Sequence, residues 1–175
     1  MAKKIVITPR GFAKCGVYNA DIIRNAGFDL EYNDTGLAYD VFPIDPAFVE
    51  KYEIECTTVE EILTKSDFVS LHVPLTAETK DFIGTEEFKK MKKNAVLINT
   101  ARGGIVNERE LYEALVNKEI KAAYFDVFSS EPPAKDEPLM TLKNFYLTPH
   151  IASRSAEAEK NTADIATRVI IEALS

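Results

Sequence analysis

Three observations predict an α/β fold built on a parallel sheet. Short apolar runs alternate with helical patterns along most of the chain. Several of those runs are apolar on both faces, which suits strands covered on both sides. The helical patterns between them carry their own start signals, so the repeating unit is strand then helix. A length of 175 residues suits one domain rather than two lobes, and 46% hydrophobic with 10% aromatic residues supports a sizeable core.

The elements follow in order. Ile5–Thr8 (IVIT) opens as a strand, a helix is expected over Asn19–Asn25, and Phe28–Tyr32 (FDLEY) and Leu37–Asp40 (LAYD) both read as short strands ending near an acid. Only a few residues separate these two, whereas a parallel crossover takes a dozen or more. Either they form one bent strand or the sequence is joined there. Thr58 with Glu61 forms a capping-box pattern ahead of Ile62 and Leu63. Phe68–Val73 (FVSLHV) is the next strand, Thr85 opens a helix before Phe88 and Met91, and Ala95–Thr100 (AVLINT) is a strand. Asn107 with Glu110 then starts a helix carrying Leu111, Ala114 and Leu115.

Ala122–Val127 (AAYFDV) and Phe145–Thr148 (FYLT) complete the strands, and the prolines of Ser129–Pro138 (SSEPPAKDEP) exclude regular structure between them. Ser155 to Leu174 sets Ala158, Ile165, Ala166, Val169, Ile170, Ala173 and Leu174 on a helical stripe. Such a stripe must cover either the sheet or a second subunit.

Charge and composition narrow the function. Lys and Arg number 21 against 28 Asp and Glu, a net charge of −7 with no basic tract, so no nucleic-acid footprint is expected. No apolar stretch approaches the ~18 residues of a membrane span, and MAKKIVITP is not a secretory signal. A soluble, cytoplasmic protein without a membrane partner is the expectation. Cys15 and Cys56 have neither CxxC spacing nor a nearby His, and read as two reduced thiols rather than a staple or a metal site.

The most informative stretch is Val96 to Gly104, VLINTARGG. It places Arg102 and two glycines at the carboxyl end of a strand, the edge where open α/β sheets bind ligands. An arginine there can hold a carboxylate in a bidentate pair and polarise a neighbouring carbonyl. The plain alternative is a surface arginine near a helix start, where its charge opposes the dipole. His150 follows Thr148-Pro149 at another strand end, and Glu131 lies in the proline-rich loop. Alone each reads as structural or solvated. Together, a carboxylate bonded to an imidazole fixes its tautomer, and a nearby arginine positions a substrate for proton transfer. His72 alone reads as a half-buried strand terminus. Gly11 and Gly16 have P-loop spacing, but Val17 and Tyr18 stand where Lys and Ser or Thr should follow.

From about Leu37 to Leu174 the chain resembles the nucleotide-binding part of the D-isomer-specific 2-hydroxyacid dehydrogenases. The resemblance lies in LAYD, SDFVSLHVPLTAETKDFI, MKKNAVLINTARGGIVNE, LYEAL, AAYFDVFSSEPP and LTPHIA. It implies a doubly wound, Rossmann-like sheet binding NAD. It further implies that Arg102 holds the carboxylate of a 2-oxo or 2-hydroxy acid, while Glu131 tunes His150, which moves the hydroxyl proton. Asp40 is implied to bond the adenosine ribose and to favour NAD over NADP. His72, Val73 and Pro74 would flank the adenosine half, and Thr100, Ala101 and Asp126 would face the nicotinamide ribose and carboxamide.

Residues 1–36 resemble instead the opening β-α unit of the family's flavodoxin-like substrate lobe. On this reading 37–150 form the NAD-binding domain and 151–175 the terminal helix. The fingerprint G-x-G-x-x-G is absent from the sequence, as expected if an internal deletion lies near Thr35–Leu37. Turnover is then expected to be weak or absent, and the rival expectation is a non-catalytic α/β scaffold. Ile5–Thr8 and the following helix could take the place of the missing first strand and helix; pairing only at a sheet edge would rule that out. Exchange of segments between two chains is the second possibility, giving a homodimer.

Overall fold

The computed structural model describes residues 5–6, 36–40, 43–51 and 54–174. Its strands are β1 (Ile5–Val6), β2 (Gly36–Ala38), β3 (Ile54–Cys56), β4 (Phe68–Leu71), β5 (Val96–Asn99), β6 (Ala122–Phe125) and β7 (Phe145–Leu147). The helices are α1 (Pro46–Lys51), α2 (Val59–Lys65), α3 (Thr85–Lys90), α4 (Glu108–Val116) and α5 (Ala156–Leu174), with a 3-10 turn at Pro138–Thr141.

Every ladder is parallel. Five strands run in the order β1-β4-β5-β6-β7, and β2 pairs with β3 in a separate ladder. Set side by side these give 3-2 and 1-4-5-6-7, the doubly wound order with the ladder between β2 and β1 unmade. The five strands of the larger sheet therefore point the same way, and Asn99, Phe125 and Leu147 finish neighbouring strands at one carboxyl edge.

Local chemistry explains the helices. Thr58 caps α2 by accepting from the Glu61 N–H at 3.2 Å, and Asn107 caps α4 by accepting from the Glu110 N–H at 3.1 Å. At α3 the cap is Gly84 rather than Thr85, which becomes the first helical residue and donates to Glu110. On one side of the sheet Val69, Leu71, Leu97, Ala123, Phe125 and Phe145 pack into a single cluster with Phe88, Leu111, Ala114, Leu115 and Leu139. Burying each large side chain of that cluster contributes about 1.5–3 kcal/mol.

The structure corrects several expectations. Strands are shorter than the apolar runs, so Asp40, His72, Val73, Thr100, Asp126 and Thr148 lie just beyond strand ends. α1 and β3 were not expected, because six exposed or half-buried residues and the three-residue IEC carry little periodic signal. Pro138 starts a 3-10 turn, a first-turn position that suits proline.

β1 pairs with β4, the neighbour that a first strand has in the doubly wound order, and no ladder joins its other side to a described strand. β2 lies in contact with β1 without forming a ladder to it. Coverage of the other face is incomplete at its β6–β7 end, where Tyr124 and Tyr146 stack with ring centroids 4.4 Å apart and are 44% and 47% exposed. α5 does not cover them, since its Ile165 is 56% exposed and Val169 and Ile170 are both 57%. Of the two destinations expected for this helix, its own sheet is therefore not the one observed. The expected helix at Asn19–Asn25, the strand Phe28–Tyr32, the Gly11/Gly16 loop and Cys15 lie outside the described residues.

Candidate functional site

Three loops meet at the carboxyl edge of β5, β6 and β7. In the first, buried Asn99 turns the chain after β5. Its Oδ1 accepts from the Ala101 N–H at 3.1 Å, and its Nδ2 donates to the Arg102 carbonyl at 3.0 Å. This side chain sets the turn that presents Arg102. The exposed Arg102 guanidinium donates from Nη1 to the Ala101 carbonyl at 2.6 Å.

Gly103 follows because the second loop passes against it. A Cβ there would lie 1.9 Å from the Phe128 carbonyl oxygen, so only glycine admits this approach. Glu108, at the start of α4, ties the same loops together by accepting from the Ser129 N–H at 2.7 Å and its hydroxyl at 2.5 Å.

The second loop carries Glu131 and the third His150. Glu131 Oε2 contacts His150 Nδ1 at 2.7 Å, while Oε1 accepts from the Phe128 N–H at 3.0 Å. The His150 imidazole, and then the Phe128 N–H, hold the Glu131 carboxyl below its ordinary value. Glu131 is therefore an anion at neutral pH, and its bond to Nδ1 leaves Nε2 as the free ring nitrogen.

Asp126 is 3% exposed. Its Oδ1 accepts from the Thr148 hydroxyl and from the Ile151 N–H at 2.9 Å, and its Oδ2 from the Ala152 N–H at 2.8 Å. Burial would raise its pKa, but these three donors and the nearby His150 outweigh it and keep the carboxyl below its usual range.

The other expected residues also lie beyond strand ends. Asp40 is half-buried beyond β2. His72 follows β4, with Nε2 2.8 Å from the Ser70 hydroxyl, and burial lowers its pKa. Val73 is half-buried and Pro74 exposed; the Pro74 carbonyl accepts from the Thr79 hydroxyl at 2.6 Å. Thr100 is exposed and Ala101 half-buried. Residues not singled out from the sequence are Asn99 and Glu108 as loop fasteners and Thr148 as a donor to Asp126. For Asn99 the available signal was a polar residue closing an apolar run.

The match to a model of known sequences agrees with this edge. Residues 11–152 match the D-isomer specific 2-hydroxyacid dehydrogenase, NAD binding domain. The chain belongs to that family. It is 44% identical over 162 residues to a glyoxylate reductase of Korarchaeum cryptofilum, covering 92% of this chain and 47% of that protein. It is 47% identical over 116 residues to a D-3-phosphoglycerate dehydrogenase of Methanocaldococcus jannaschii, covering 66% and 22%. The crystal structure of a D-lactate dehydrogenase with NAD+ from Lactobacillus jensenii superposes with a TM-score of 0.74 at 32% identity, over 95% of this chain and 51% of that one.

This member of the family thus spans about half the length of such relatives or less. NAD is the family's cofactor. The chemistry of the edge suits its two ends: an acid beyond β2 for ribose hydroxyls, and the Thr100-Ala101 turn beside the Arg102 loop for the nicotinamide half. For the pyrophosphate between them the sequence offers no G-x-G-x-x-G. Among the described residues no helix is long and apolar enough to cross a membrane.

Proposed function

We propose that this chain carries the acid–base and carboxylate-binding edge of an NAD-dependent oxidoreductase acting on the CH–OH group of D-2-hydroxy acids, with weak turnover of its own. The observation that carries the proposal is the 2.7 Å contact between Glu131 and His150, fastened to the loop that presents Arg102. Nicotinamide, when bound, exchanges a hydride with the C2 carbon of the acid. Arg102 pairs with the substrate carboxylate and polarises the C2 carbonyl. His150 gives a proton from Nε2 to the carbonyl oxygen during reduction and takes it back from the hydroxyl during oxidation. Glu131, anionic beside Nδ1, stabilises the imidazolium form. Asp40 holds the adenosine ribose.

A second reading, a folded α/β scaffold without turnover, is favoured by the missing glycine fingerprint. That loop would supply several charge-assisted bonds of roughly 1.5–3 kcal/mol each. Calorimetric titration with NADH separates the two. Binding tighter than about 1 mM, abolished by Asp40→Ala, is expected for a working cofactor edge, and no heat at that level favours the scaffold. Oxidation of NADH with glyoxylate or hydroxypyruvate should then exceed that of His150→Gln. Association into a homodimer belongs to the same proposal, supported by the uncovered Ile165, Val169 and Ile170 of α5. A light-scattering mass of a single chain would remove it.

A further inference from the structure

His150 has a left-handed backbone, with φ at 53°. For a residue with a Cβ that conformation is strained and needs outside support. The support comes from both sides of the residue and converges on one carboxylate. Thr148 before it donates its hydroxyl to Asp126, and Ile151 and Ala152 after it donate their N–H groups to the same side chain. The His150 N–H turns back to the Thr148 carbonyl at 3.0 Å, closing the kink. Two residues beyond Asp126, the Phe128 N–H holds Glu131. The segment leaving β6 therefore fixes both partners of the Glu131–His150 pair.

We propose that Asp126 is a positioning residue for His150: by gathering Thr148, Ile151 and Ala152 it holds the 148–152 kink in the one conformation that sets Nδ1 against Glu131. A carboxylate is required because three donors converge on it from two directions. An amide in the same place offers one acceptor oxygen and turns an NH2 towards one of them. The inference rests on His150 being the acid–base group of the proposed function. Its test needs neither cofactor nor substrate, so the two can fail separately.

The sequence contains two histidines, His72 and His150, so 15N-histidine labelling yields two imidazoles, one of them an internal standard. In Asp126→Asn, His150 should lose the spectral signature of a fixed, hydrogen-bonded Nδ1–H, approaching the behaviour of Glu131→Gln. His72 should remain unchanged. Thr148→Val, which removes one donor of three, should move His150 less and in the same direction. A folded Asp126→Asn chain that loses stability in urea while His150 keeps its fixed Nδ1–H tautomer would overturn the proposal. If Asp126→Asn does not fold, Thr148→Val decides, and an unchanged His150 there overturns it equally.

Discussion

Arg102 and Gly103 are adjacent yet have opposite sensitivities. The Arg102 guanidinium is exposed and bonds only to the carbonyl of its own neighbour among the described residues, so Arg102→Ala should leave stability within about 0.5 kcal/mol in urea melts. A loss above about 2 kcal/mol would show that the guanidinium has become structural. Gly103→Ala places a carbon against the Phe128 backbone, which has no flexible end to yield, and should cost more than about 2 kcal/mol in the same melts.

His72 makes a prediction about pH. Burial lowers its folded-state pKa, so below the ordinary value of about 6.5 the unfolded chain binds a proton that the folded chain does not. Stability should fall as pH drops through that region. Thermal melts of His72→Gln should show a flatter slope there. Glu131 acts lower: its depressed pKa contributes stability present above the ordinary carboxylate value and lost as pH falls through the folded one.

Among the elements, α4 joins packing to function most directly. Its inner face buries Leu111, Ala114 and Leu115, while its first residue, Glu108, grips Ser129 on the Glu131 loop. Fraying its N-terminus should therefore be felt at the site. Asn107→Ala removes the acceptor for the Glu110 N–H and should cost about 1 kcal/mol. In a chain of this size that is a fall of about 2–4 °C in Tm, with Asn107→Asp retaining the wild-type value. Two caps with oxygen-bearing side chains, Thr58 and Asn107, were legible in the sequence, because the cap and its donor lie three residues apart. Gly84 was not, because a glycine cap has no side-chain acceptor to mark it.

At the scale of the molecule, one side of the sheet is packed and the other is open near Tyr124 and Tyr146. α5 is exposed from Ala156 to Glu172 apart from half-buried Ala158. A chain ending at Arg154 should therefore unfold in urea at the same midpoint, within about 0.5 kcal/mol, because the helix adds little to the core of this chain. A larger loss would show that α5 covers the sheet in solution. Periodicity could show that this helix has an apolar stripe, but not what the stripe meets.

The sequence by itself determined the parallel α/β order, the positions of β4 to β7 to within two residues at either end, the family, and the candidates Arg102, Glu131 and His150. These depend on chemistry between residues close in the chain: two- and four-residue spacings, caps, and motif order. Only the tertiary structure decided that Glu131 meets His150, that Gly103 must admit the Phe128 carbonyl, that Asp126 gathers the donors of the 148–152 kink, and that β1 pairs with β4. Each of these contacts joins segments separated by a helix, a loop or most of the chain. The pairing of neighbouring strands brings such segments together, and a strand's own pattern does not say which strand it will pair with.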